Sequence, residues 1–197
     1  METSHVISDL ILGLVGLFVF FRYLMKLPLM ETVLWEAFVL SVSVAAFAGA
    51  ARFAGISNAG LISVFFQNMA ATVGALGLAV VSWFKVWEND TLDSKIGWSV
   101  LAAGFIIFAL LQVGVVPELI SYIPTVSMIL IAAAAIVALT NGQSKLGMWL
   151  LAAVFFAALA TFRDFFVDDY DNSIDAYHYL LSCSLICFGM AAARPSR

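Results

Sequence analysis

Charge is what this chain has least of. Asp, Glu, Lys and Arg make up 11% of its 197 residues, while 63% are hydrophobic. A soluble domain carries roughly 25% charged residues, so a water-soluble fold is excluded. Lys and Arg form no cluster, and nucleic acid is therefore not expected as a partner. Imidazole is limited to His5 and His178, and thiol to Cys183 and Cys187. A three-histidine zinc site is impossible on that count, and a bis-histidine haem has to join a floppy N-terminus to the end of the chain. The cysteines lie one helical turn apart, where a disulfide is not expected. The last apolar run contains no lysine, which excludes the Schiff base of a retinal protein. Rings of charge or exposed carbonyls that would line an ion pore are missing as well. No cofactor and no metal site are expected.

Long apolar runs are what the chain does have. Seven of them are read as membrane-spanning helices, at about Val6–Leu24, Thr32–Phe53, Gly60–Val81, Ile96–Val116, Leu119–Leu139, Leu146–Phe165 and Ile174–Ala193. Each reaches the length of about 20 residues needed to cross a bilayer. Helices are required because an open sheet edge has no hydrogen-bond partner in lipid. The alternation of a barrel strand is absent. Helix-ending chemistry separates the runs: Lys26-Leu27-Pro28, Ser57-Asn58, Glu88-Asn89-Asp90, Pro117, Asn141-Gly142 and Asp171-Asn172-Ser173. Pro124 falls inside the fifth run and is expected to kink it. The fold class is thus an all-α integral membrane protein, a single seven-helix transmembrane domain over residues 1–197. Its first helix is read as retained and not as a cleaved signal.

Orientation follows from Lys and Arg, which accumulate on the cytoplasmic side. The N-terminal side holds Arg52 and Arg163. The opposite side holds Arg22, Lys26, Lys85, Lys95, Lys145, Arg194 and Arg197. The N-terminus is expected outside and the C-terminus in the cytoplasm, in a bacterial inner membrane. Aromatic residues give the same map through their preference for the headgroup level. Trp35, Trp83, Trp87, Trp98 and Trp149 fall at cytoplasmic helix ends, and Tyr122, Tyr170, Tyr177 and Tyr179 at outer ends; Tyr23 is the exception. Small residues recur, among them Gly13, Gly16, Gly74, Gly77, Ala45 to Ala51 and Ala132 to Ala135. They are read as close helix contacts.

Ionisable groups inside membrane helices are costly, which makes them the first candidates for function. Here they gather toward the outer side. Asp9 opens the first helix and Arg52 closes the second. Gln67 and Asn68 lie two turns into the third. Arg163 and Asp164 end the sixth, and Asp175 and His178 begin the seventh. Together they are expected to line an outward-facing polar pocket for a small polar molecule or a lipid headgroup. Arg52 is expected to pair with Asp9 or Asp175 close to His178. Solvation at the interface accounts for the same residues if the helices do not converge. Ser182 lies one turn from His178, within reach of a bond to it. Glu36, on the other side, has Lys26 as a candidate partner. The acidic loop from Asp168 to Asp175 carries oxygens at 169, 171, 173 and 175, like the opening of a calcium loop. Ile174 stands where that loop needs glycine and Leu180 where it needs glutamate, so a solvated loop is expected.

Size, seven spans and short loops make the chain resemble the superfamily of membrane hydrolases that includes the alkaline ceramidases and adiponectin-type receptors. The resemblance implies a zinc site for amide hydrolysis of lipids, with Ser-x-x-x-His late in the second helix, Asp in the third and His-x-x-x-His in the seventh. Here the second-helix segment reads Ala48-Gly49-Ala50-Ala51-Arg52, the third has Gln67 and Asn68, and the seventh reads His178-Tyr179-Leu180-Leu181-Ser182. Three roles follow as expectations: binding of a small polar or lipid ligand, or company for another membrane protein; lipid hydrolysis through His178; and a structural subunit whose small-residue faces pack on partner helices.

Overall fold

A computed structural model describes residues 3–87 and 93–194. The expected break at Glu88-Asn89-Asp90 and the basic Arg197 lie outside the described residues. The described residues form seven helices long and apolar enough to cross a membrane. We number them α1 (Thr3–Tyr23), α2 (Leu29–Phe53), α3 (Ala59–Val86), α4 (Ser94–Gln112), α5 (Leu119–Thr140), α6 (Ser144–Thr161) and α7 (Tyr170–Ala192).

Several helix ends differ from expectation for local reasons. α1 begins at Thr3, three residues early, and the N-terminal segment is helical where a floppy end was anticipated. α3 runs on to Val86 through Ser82, which gives its hydroxyl proton to the Leu78 carbonyl 2.7 Å away. A serine satisfied by its own helix does not end it. α4 stops at Gln112, with Gly114 in the left-handed conformation at φ 73°, as glycine does at helix C-termini. α6 stops at Thr161, and Arg163–Phe165 tighten into a 3-10 turn. Asn141-Gly142 does end α5, with Gly142 at φ 80°. Pro124 lies within the early part of α5.

Six helices close into a ring in the order α1, α2, α3, α5, α6, α7, and α7 returns to lie against α1. α4 packs outside the ring on α3. α2 is the most enclosed, with 67% of its most apolar stretch buried, against 17% for α4. Trp35 and Phe38 of α2 meet Phe188 of α7 at ring separations of 6.1 Å. Trp35 is fully buried, so it belongs to this core and not to a headgroup belt. Trp87 and Trp98, by contrast, are exposed.

Glycines set the helix spacing. A Cβ at Gly74 would stand 2.7 Å from the Phe38 Cα, and one at Gly147 2.7 Å from the Ala135 carbonyl oxygen. Both are closer than carbon chains tolerate, so α3 on α2 and α6 on α5 approach backbone to backbone. This is how membrane helices gain dispersion energy where the hydrophobic effect is weak. Gly74 also ends a π-helical turn, Ala70–Gly74, in the middle of α3.

α1 and α7 run parallel. His5 near the start of α1 touches Asp175 near the start of α7, and Val19 and Tyr23 near the end of α1 pack on Gly189 near the end of α7. The first and last helices therefore begin at one end of the bundle and finish at the other. The helices carry Arg22, Lys26, Lys85, Lys95, Lys145 and Arg194 to the far end and leave Arg52 and Arg163 at the near one. At the basic end Lys85 pairs with Glu31 at 3.0 Å, both buried. The buried pair there is thus Glu31–Lys85 in place of the expected Glu36–Lys26.

Candidate polar site between the first and last helices

Helical spacing puts His5, Ser8, Asp9, Leu12, Gly13 and Gly16 on one buried face of α1. The glycines let the lower part of that face press on α2, and the polar residues above them meet α7. Asp9 reaches past α7 to α2, where its carboxylate lies over Gly49; a Cβ there would be 2.5 Å from Asp9 Oδ2. On α7, Asp169 caps the helix by accepting the Asp171 N–H at 2.9 Å. The cap starts the helix four residues before the expected Ile174, and it aims Asp175 and His178 at α1.

The result is one continuous chain of polar contacts. His5 Nδ1 lies 2.9 Å from Asp175 Oδ1, and Ser4 donates to Asp175 Oδ2. Ser8 Oγ lies 2.6 Å from Asp175 Oδ1, 2.9 Å from His178 Nδ1 and 3.2 Å from the His5 carbonyl oxygen. His178 Nε2 lies 3.2 Å from Asp9 Oδ1. At the surface end, His5 Nε2 is 3.6 Å from Asp171, whose side chain is 71% exposed. His5, Ser8, Asp9, Asp175 and His178 are all buried. The chain thus leads from an exposed carboxylate to an enclosed one across the α1–α7 seam.

Hydrogen bookkeeping constrains this chain. The Ser8 hydroxyl has one proton. When it goes to Asp175, its shortest contact, His178 must carry a proton on Nδ1 and donate it to the serine oxygen. The contact between His178 Nε2 and Asp9 then needs one more proton, which sits on the carboxyl or on the ring. Both arrangements satisfy the same geometry, as a neutral pair or as an ion pair. The seam can therefore take up either charge state with little movement of heavy atoms.

The expected site residues divide. Asp9, Asp175 and His178 come together. Arg163 flanks them, its guanidinium 4.9 Å from the Tyr177 ring centre, and Tyr177 lies 5.6 Å, ring to ring, from His178. Asp164 accepts from Ser173. Arg52 is near but indirect: it lies over the Phe53 ring at 4.4 Å, and that ring is 4.9 Å from His5. Among the described residues no ion pair joins Arg52 to Asp9 or Asp175, so the direct pairing does not form. Gln67 and Asn68 turn elsewhere: Gln67 donates to Ser63 at 3.1 Å, and Asn68 to Gln112 at 3.2 Å. Ser182 donates to the His178 carbonyl at 2.8 Å and not to the ring.

The acidic loop is mostly helix. Asp169 is the cap, Ser173 binds Asp164, and Asp175 is in the seam, so its oxygens are committed to separate partners. Among the described residues no three His, Cys, Asp or Glu side chains converge as a metal-ligand set. With Arg52 at the second-helix histidine position, these residues do not fit the zinc that the resemblance implies. His5, Ser4 and Ser8 were not singled out in sequence. Their signal was the spacing of His5, Asp9, Gly13 and Gly16 along one stripe of α1.

Fold and site together define a seven-helix bundle of membrane-spanning length whose first and last helices are joined by a buried polar seam. The chain belongs to the family of unknown function DUF6962, which matches residues 4–197. No curated protein and no solved structure matches it, and the resemblance to the ceramidase and adiponectin-receptor superfamily gains no support.

Proposed function

We propose that this chain is a multi-pass integral membrane protein, N-terminus outside, whose α1–α7 seam recognises a small polar ligand or a lipid headgroup at the outer surface. The observation that carries this reading is the unbroken contact chain from Asp171 through His5, Asp175, Ser8 and His178 to Asp9. Apolar packing alone would hold two membrane helices together, and intramembrane ionisable groups mark functional sites by default. Arg52 and Arg163 add positive charge at the rim. The buried network is satisfied by its own members, so a ligand enters by parting α1 from α7 and replacing some of these contacts.

The test is mass spectrometry of lipids and metabolites that co-purify with the detergent-extracted protein. The expected result is a species retained by the wild type and lost from His178→Ala and Arg52→Ala, with helical content unchanged. An identical co-purifying set in all three proteins would overturn the reading.

A second reading, a lipid-directed hydrolase, is favoured by the order Ser8–His178–Asp9, which has the connectivity of a nucleophile, a base and its orienting acid. Against it, Ser8 is fully buried and also shares its proton with Asp175. Labelling of Ser8 by a fluorophosphonate would favour this reading; no labelling in lipid bilayers would end it.

A further inference from the structure

At the basic end, where α1 and α7 finish, lies a cleft of about 420 Å³. This is within the roughly 300–1,000 Å³ range of ligand sites. Arg22 and Lys26 come from the end of α1 and Arg194 from just past α7; Tyr23, Leu27 and Met190 complete most of the wall. None of the lining residues is acidic. Gly189 admits the Tyr23 ring against α7, since a Cβ there would stand 2.8 Å from it. The Arg22 guanidinium lies 5.5 Å from the centre of that ring.

Arg194 is held in place by its backbone. Its carbonyl accepts the Lys85 ammonium at 3.2 Å, and Lys85 is already paired with Glu31. That carboxylate is taken, and the buried Nε of Arg194 has no hydrogen-bond partner. A buried donor without an acceptor is costly. Here it sits beside two further cations and a phenol, with an apolar wall on one side.

We propose that this cleft binds the phosphate of an anionic phospholipid, with Arg22, Lys26 and Arg194 around the phosphate and Leu27 and Met190 against the glycerol and upper acyl chain. Guanidinium groups match phosphate through paired hydrogen bonds. Basic pockets between membrane helices take anionic headgroups. The apolar wall favours a lipid over free phosphate as the source of that group. The site lies at the opposite end of the bundle from the polar seam and does not depend on the function proposed for it.

The experiment uses the full chain in detergent micelles, titrated with phosphatidylglycerol, phosphatidylcholine or inorganic phosphate and read by native mass spectrometry. Phosphatidylglycerol is expected to bind more tightly than phosphatidylcholine, with a loss of about fivefold for each cation removed. The triple variant R22Q/K26Q/R194Q should bind the two lipids alike, while K95Q, an exposed cation at the same end that does not line the cleft, keeps the preference. Should the triple variant fail to fold, R22Q/K26Q at two exposed positions carries the same test. Inorganic phosphate that fails to displace phosphatidylglycerol supports the lipid; displacement at millimolar phosphate supports the phosphate site but assigns it to a soluble anion. Equal binding of the two lipids by the wild type, or a preference unchanged in the variants, overturns the proposal.

Discussion

His178 on the last helix and Asp9 on the first face one another at 3.2 Å, and both are buried. One proton shared across this contact joins the two ends of the sequence. Interhelical hydrogen bonds in membranes average about 0.6 kcal/mol and reach about 1.7. The enclosed pair should lie at the upper end. A double-mutant cycle of Asp9→Ala and His178→Ala, read by unfolding in detergent, is expected to give a coupling energy of about 1–2 kcal/mol. Strict additivity would show that the contact contributes nothing.

Gly49 is the floor on which Asp9 rests. Gly49→Ala forces the carboxylate off its position, since the new carbon would lie 2.5 Å from Oδ2. Overpacking of this kind costs about 1–3 kcal/mol. In the Asp9→Ala background the three nearest atoms that the added methyl group would meet are gone, and most of that cost should vanish. An equal penalty in both backgrounds would place the strain in the α1–α2 backbone contact instead.

Lys85 and Glu31 form a buried pair at 3.0 Å. Removing one member strands the other charge, whereas replacing both leaves nothing uncompensated. Lys85→Met alone is expected to destabilise the protein by about 3–5 kcal/mol. Lys85→Met with Glu31→Leu should recover most of it. Thermal unfolding of the single and double variants measures this, and a double variant no better than the single would show that the Lys85 bond to the Arg194 carbonyl matters more.

The asymmetry of Lys and Arg sets the expected orientation. In a background with Cys183 and Cys187 replaced by alanine, a cysteine at Ser57 should react with a membrane-impermeant maleimide in intact cells. A cysteine at Lys145 should react only after permeabilisation. The reverse pattern would invert the topology and put the polar seam on the cytosolic side.

Much of this architecture was readable residue by residue. The apolar runs around Leu12, Val39 and Ile131 have no polar interruption longer than a turn, so span number followed from length alone. Asn141-Gly142 marked a helix end because asparagine and glycine accept backbone angles that other residues resist. The site was less legible. Asp175 and His178 stood out as ionisable groups in an apolar context. His5 did not, because it lies close to the chain's first residues, where order cannot be judged from composition. Gln67 and Asn68, two turns into the third run, stood out as polar groups in the same way as Asp9, but position along a helix says nothing about which side of it faces a neighbour. Trp35 looked interfacial for the same reason.

Hydropathy is a local property summed along the chain, so the number of helices long and apolar enough to cross a membrane and the uneven distribution of charge between their ends were present in the linear order of residues. Which helices touch is a different matter. That α7 closes against α1, that Asp9 settles over Gly49, and that Ser8 sits between Asp175 and His178 depend on helix rotation and spacing. Those are set by glycine contacts between residues far apart in the chain, and only the packed bundle decides them.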